Sequence, residues 1–190
     1  MILDKLFLPK KKITFINFLN LFLLGFAVTN AQETEYTSFG SAHAGLQGLE
    51  LKYEVPFAYQ FIFKGGAGFG AGYYVDDAVH YVWSFQSPIP FLKANIAWMY
   101  NKENRIAKGK SLRNNAGNFV ALQAKYSFGD KHDDVFNQVL FTAIHWGIQR
   151  TISGKFYFNT HVGLGYMHDQ NTKENAVAPS LGLTFGYQFF

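Results

Sequence analysis

Residues 180–190 read SLGLTFGYQFF, with Leu181, Leu183, Phe185, Tyr187 and Phe189 at every second position and Ser180, Gly182, Thr184, Gly186 and Gln188 between them. Side chains along a β-strand alternate between its two faces, so this stretch predicts a strand with one apolar side and one small or polar side. Phe190 stands one residue beyond that phase. The reading decides the fold only if the rest of the chain repeats it.

It does. Over 60–75, Phe61, Phe63, Ala67, Phe69, Ala71, Tyr73 and Val75 share one face, while Gln60, Lys64 and four glycines share the other. Over 91–100, Leu92, Ala94, Ile96, Trp98 and Tyr100 oppose Lys93 and Asn95; over 118–128, Val120, Leu122, Ala124, Tyr126 and Phe128 oppose Gln123 and Lys125. Over 136–150, Leu140, Ile144, Trp146 and Ile148 oppose Asn137, His145 and Gln149, with Val139 and Phe141 blurring the pattern. Over 155–168, Phe156, Phe158, Val162, Leu164 and Tyr166 oppose Tyr157, Asn159 and His161. Over 43–55, Leu49, Leu51, Tyr53 and Val55 oppose Glu50, Lys52 and Glu54.

That predicts seven strands. An eighth lies around 36–41 or in 78–86, and the alternation of Val79, Tyr81, Trp83 and Phe85 favours one long strand over 79–101, bulged at Pro88 and Pro90. Polar loops are expected at 129–134 and 169–176, a short turn at 151–155, and a long basic turn at 101–118. No fixed-period repeat divides the chain.

A soluble sandwich also alternates, but its wet face carries many Lys, Glu, Thr and Ser. Here the second face carries glycines and isolated charges, as the inside of a narrow barrel would. In a bilayer every backbone polar group needs a partner within the protein, which leaves helices and closed barrels. A tilted strand crosses in about 9–11 residues, the length of these segments, and Tyr53, Trp98, Tyr100, Tyr126, Trp146, Tyr166 and Tyr187 near strand ends suit interfacial girdles. The expectation is an all-β chain forming a transmembrane antiparallel up-and-down β-barrel of eight strands.

The first 31 residues read differently. Lys10, Lys11 and Lys12 precede an apolar run from Ile13 to Val28, and Thr29 and Ala31 flank Asn30 in an A-x-A-like pattern. This predicts a cleaved signal peptide over 1–31 and a barrel over 32–190. The leader holds four lysines and one aspartate, leaving 13 basic against 12 acidic residues, so the net charge of +4 gives no ground for a nucleic-acid partner. The chain has no cysteine, so packing and hydrogen bonding alone hold it.

The signal, the alternating strands and the aromatic last strand together resemble the small outer-membrane β-barrels of Gram-negative bacteria, of the eight-stranded OmpA-transmembrane and OmpX type. PFLKANIAWMYNKENRIAKGKSLRNNAGNFVALQAKY, 90–126, and HWGIQRTISGKFYFNTHVGLGY, 145–166, resemble a group of such barrels with no assigned activity. The resemblance implies an outer-membrane location, contact with outer-membrane lipids, a monomer, and recognition of the C-terminal strand by the barrel-insertion machinery. Phe189 carries the phase of that recognition pattern and Phe190 departs from it.

The chemistry-bearing residues form two sets. Glu50, Lys52, Glu54, Lys64, Lys93 and Lys125 point into the predicted lumen, with His145 and His161 from neighbouring strands. An eight-stranded lumen is just filled by side chains and opposed charges there pair, which favours a plug over a pore. The two histidines are read as a site candidate or, more simply, as hydrogen-bonded interior groups. The second set, Lys102, Arg105, Lys108, Lys110 and Arg113, makes either a periplasmic contact to anionic headgroups or cell-wall polymer, or a solvated turn. No catalytic residue, cofactor or metal is expected: His43, His80, His132, His145, His161 and His168 lack metal-site spacing, and GGAGFGAG at 65–72 lacks the ending of a phosphate loop.

The function expected is a structural or surface-interaction role. The alternatives are a lipid-modifying barrel enzyme of the acyltransferase or deacylase type, for which His168 with Asp169 or His80 with Ser84 offer pieces, and a narrow channel.

Overall fold

A computed structural model describes residues 33–75, 79–82, 88–129 and 136–190. The expected leader, Ser84, His132 and most of the loop at 129–134 lie outside the described residues. The strands are β1 (Phe39–Gly45), β2 (Gly48–Ala58), β3 (Phe61–Gly70), β4 (Gly72–Val75), β5 (Val79–Val82), β6 (Ile89–Trp98), β7 (Gly117–Ser127), β8 (Val139–Ser153), β9 (Phe156–Asp169) and β10 (Asn175–Gln188). Eight close into one antiparallel barrel in the order β1-β10-β9-β8-β7-β6-β3-β2, and β4 and β5 form a separate hairpin. Among the described residues no helix is long and apolar enough to cross a membrane, which says nothing of a barrel.

The eighth strand is β1. Its register on β10 runs from Ser41 opposite Gln188 to Gly45 opposite Thr184, and this pairing closes the sheet. The single strand expected over 79–101 does not form: Val79–Val82 folds back on β4, and β6 starts afresh at Ile89, inside the Pro88/Pro90 pair. Proline has no N–H for a ladder, so two of them so close mark a strand's start better than its middle. The segment 43–55 is likewise split, because Gly48 at φ 118° turns the chain between β1 and β2 after Leu46 and Gln47.

The alternation sorts the side chains. Leu122, Ile144, Leu164 and Leu181 are more than half exposed on the outer wall, while Phe39, Gln123, Gln149 and Tyr157 are buried in the lumen. Val139 and Phe141 also point inward. The start of β1, the end of β10, the turns at 59–60 and 154–155, and the β6–β7 connection share one end of the barrel; the β1–β2 turn and the β4–β5 hairpin lie at the other.

Each end of the lumen is apolar. At the terminal end Tyr36, Ile62, Met99, Leu112 and Phe119 form a cluster, with Ile106 against it. At the opposite end Tyr73, Val139, Phe141, Met167 and Ala178 form another. Inward glycines leave room for large neighbours: a Cβ at Gly66 would collide with Glu50, one at Gly68 with Phe91, and one at Gly182 with His161. The glycines of 65–72 therefore serve packing.

Candidate functional site

The polar side chains of the lumen occupy the space between the two apolar clusters. Glu54, from β2, is their centre. Its Oε1 lies 2.9 Å from Lys52 Nζ and 3.8 Å from Lys64 Nζ, so one carboxylate serves two ammonium groups. Gln149 Nε2 donates to both carboxylate oxygens, and Asn115 Nδ2 donates to Oε2 at 3.1 Å. Gln149 Oε1 accepts from Lys64 Nζ at 2.8 Å and from Asn159 Nδ2 at 2.9 Å. Burying a charge is costly unless it is paired and its remaining hydrogen-bonding capacity is met, and here four elements meet it.

Lys93 and Glu50 form a second ion pair. Lys125 has no carboxylate in ion-pair range among the described residues. It donates to Tyr73 OH at 3.0 Å and lies 4.3 Å from the centroid of the Phe91 ring, so an aromatic face takes the place of a counter-ion. The rings of His145 and His161 stack at 4.1 Å, His145 opposite Gly163 and His161 opposite Gly147 on the paired strands β8 and β9. Glu50, Lys93, Gln123, His145 and His161 line a cavity of about 40 Å³. Glu50 Oε1, Gln123 Nε2, His145 Nδ1 and His161 Nε2 have no partner among the described residues, and a space of this size and polarity suits water.

All eight sequence-predicted lumen residues therefore line the interior, in three charge groupings and one histidine stack. Sequence reasoning missed the cluster of Ser41, His43 and Tyr157. His43 Nε2 lies 2.7 Å from Tyr157 OH and 3.1 Å from Ser41 Oγ, while Tyr157 OH donates to Ser41 Oγ at 2.8 Å. The other ring nitrogen of His43 faces Thr184 Oγ1 at 3.3 Å. A hydroxyl group, not a carboxylate, orients this imidazole, and all three residues of the cluster are buried, so the arrangement braces β1 against β9 and β10. Its signal was weak because Ser41 and His43 lie on β1, whose outward Gly40, Ala42 and Ala44 show no apolar alternation.

The basic connection 101–118 is a folded segment. It contains α1 (Lys102–Ala107) and a 3-10 turn (Arg113–Asn115). Lys102 is buried, donating to Tyr59 O at 3.0 Å with its ammonium 3.8 Å from the Tyr59 ring centroid. Arg105 Nη2 donates to Ser111 O, and Arg113 Nε donates to Glu33 Oε1 at 3.1 Å. Lys108 and Lys110 are exposed. The five cations thus do not form one surface patch. Asn114 and Asn115 turn into the barrel mouth at φ 53° and 51°, a left-handed geometry asparagine tolerates. Nearby, burial pushes Tyr36 up to about 12, against the lowering fields of Arg105 and Arg150.

Of the two pairs named for the enzyme reading, His168 and Asp169 do not meet, and Ser84, the partner named for His80, lies outside the described residues. His168 points outward and meets Asn175 Oδ1 at 2.7 Å, while Asp169 points inward and accepts from Asn137 Nδ2 at 2.7 Å and from the N–H groups of Asn171 and Thr172. Adjacent strand residues occupy opposite faces. Among the described residues no group of three or more His, Cys, Asp or Glu could hold a metal ion. The chain matches no known protein family, no curated protein and no solved structure.

Proposed function

We propose that this chain is an integral outer-membrane β-barrel that its own side chains close, with a structural or surface-interaction role. The observation that carries the reading is the outer wall. Leu49, Leu51, Leu122, Ile144, Leu164 and Leu181 are all exposed on a closed sheet whose charged side chains, Arg150 near the end of β8 excepted, are turned inward. Soluble monomers rarely expose a contiguous apolar patch larger than a few hundred Å². Hydrocarbon satisfies such a wall, and a closed barrel leaves no backbone edge in it over the paired length. The leader read from residues 1–31 supports export as the route.

The interior supports a plug. A channel needs a continuous aqueous path, whereas here Glu54 is braced by Lys52, Gln149 and Asn115, and apolar clusters stand at both ends. The test is fractionation of cells making the full chain, followed by reconstitution of the purified protein. Recovery in the outer-membrane fraction, a folded form needing detergent, and no steady conductance in planar bilayers are expected. A processed protein that stays dispersed and compact in detergent-free buffer would overturn the membrane reading, and stable unitary currents would overturn the plug.

A further inference from the structure

The barrel wall has a slot. β1 ends at Gly45, opposite Thr184, whereas β10 begins nine residues earlier, at Asn175. Over that part β10 is paired to β9 on one side and, among the described residues, has no strand on the other. The β1–β2 turn covers only the near edge: Leu46 N–H donates to Leu183 O and Gln47 Nε2 to Leu181 O, each at 3.0 Å. Pro179, in the uncovered run, has no N–H to offer a foreign strand.

Behind the slot is a cavity of about 400 Å³. Its mouth is made by Leu46, Pro179 and Leu181, on or level with the outer wall, and its interior by Phe141, Met167 and Ala178, which point into the lumen. Residues of both faces of β10 thus line one space, so the cavity passes through the wall. Tyr73, also in the lining, has its hydroxyl engaged by Lys125. A second apolar hollow, along Leu49, Phe69, Leu183 and Phe185 on the outer wall, meets the first at Leu46.

We propose that this slot binds one acyl chain of a membrane lipid, entering sideways from the bilayer and ending against Phe141 and Met167. The inference rests on the membrane reading above. The volume falls in the range of small-molecule pockets, about 300–1,000 Å³. The lining is mostly carbon, with the Tyr73 hydroxyl engaged by Lys125, the Tyr81 hydroxyl donating to Leu46 O and Gln47 Nε2 donating to Leu181 O, and the mouth lies in the same outward layer as Leu164 and Leu183, so hydrocarbon reaches it without crossing water. A peptide strand would need a run of free backbone donors, which the proline interrupts. Water gains nothing from an apolar cavity, whereas a methylene chain makes dispersion contacts there.

The test uses the full processed chain in vesicles of phosphatidylethanolamine and phosphatidylglycerol, doped with phosphatidylethanolamine that carries a diazirine in one acyl chain. After irradiation, adducts are mapped by peptide mass spectrometry. Adducts are expected on inward-facing Phe141, Met167 or Tyr73, together with outward Leu122 and Leu164. Ala178→Trp, which fills the cavity, should lose most of the inward adducts and keep the outward ones; Ala178→Leu provides a milder block should the tryptophan prevent insertion. Outward adducts with none on Phe141, Met167 or Tyr73 in the unaltered protein would overturn the slot while leaving the membrane reading intact. Absence of adducts on Leu122 and Leu164 as well would overturn both.

Discussion

Asn115 Nδ2 lies 3.1 Å from Glu54 Oε2, across 61 residues of chain, and so ties the connection between β6 and β7 to a fully buried carboxylate of the barrel. The same amide donates to Thr37 O, and Asn115 Oδ1 accepts from Thr37 N–H at 3.0 Å. The segment leading into β1, the β6–β7 connection and the charge network are thereby one unit.

Replacing Glu54 with alanine leaves Lys52 and Lys64 buried without their shared counter-charge. Breaking a buried ion pair costs about 3–5 kcal/mol. The expected outcome is a lower urea midpoint for the barrel in detergent micelles, partly restored when Lys52→Met is added. An unchanged midpoint would mean that the two lysines find water.

Asn115→Ala removes three hydrogen bonds and places a Cβ-bearing residue with no polar tip at φ 51°. Each buried polar group left unpaired costs about 1–3 kcal/mol. The variant should make the β6–β7 connection a protease-sensitive site while the barrel strands stay protected. Equal protection in both proteins would contradict the anchoring role.

Tyr36 gives the terminal cluster a dependence on alkaline pH. Its folded pKa, about 12, stands above the ordinary tyrosine value of 10.0 because burial disfavours the phenolate. The unfolded chain therefore releases this proton first. The contribution is complete below pH 10 and is lost as pH rises through about 12. Tyr36→Phe should flatten that part of the stability profile and cost little at neutral pH, since the hydroxyl is buried with no partner among the described residues. A titration of the urea midpoint between pH 9 and pH 12 checks it.

Gly182→Ala would push its new methyl into the His161 ring and force the ring off His145. Overpacking of this kind costs about 1–3 kcal/mol. The double variant with His161→Ala should recover most of the loss. No recovery would indicate that the backbone, and not the ring, resists the change.

Leu122→Lys places a charge at the middle of the outer wall. On the membrane reading it costs about 2–4 kcal/mol in a bilayer. Gln123→Met, one residue away and inside, leaves the outer wall unaltered. The comparison of folding efficiency into lipid vesicles separates the two faces; equal efficiency for Leu122→Lys and the unaltered protein would speak against hydrocarbon on that side.

Where the sequence was legible, the reason is the two-residue period. β7 and β9 put Leu122, Tyr126, Val162 and Leu164 outside and Gln123, Lys125, Tyr157 and His161 inside, as the alternation predicts. It was illegible in β1, where outward Gly40, Ala42 and Ala44 are small and the informative side chains, Phe39, Ser41 and His43, point inward. Phe190 explains one of those small residues: its ring covers Gly40, which accounts for an aromatic one position beyond the strand's phase. The alternation over 79–86 was misleading because Val79–Val82 completes a hairpin with β4 outside the barrel.

By itself the sequence determined that this chain alternates a greasy face with a sparse, charged one, because side-chain direction along a strand depends only on position. Which cations share Glu54, which aromatic faces Lys125, where β1 closes on β10 and where the wall stays open were decided by the closed sheet alone. Those contacts join residues far apart in the chain, and only the register of eight strands around a lumen sets their distances.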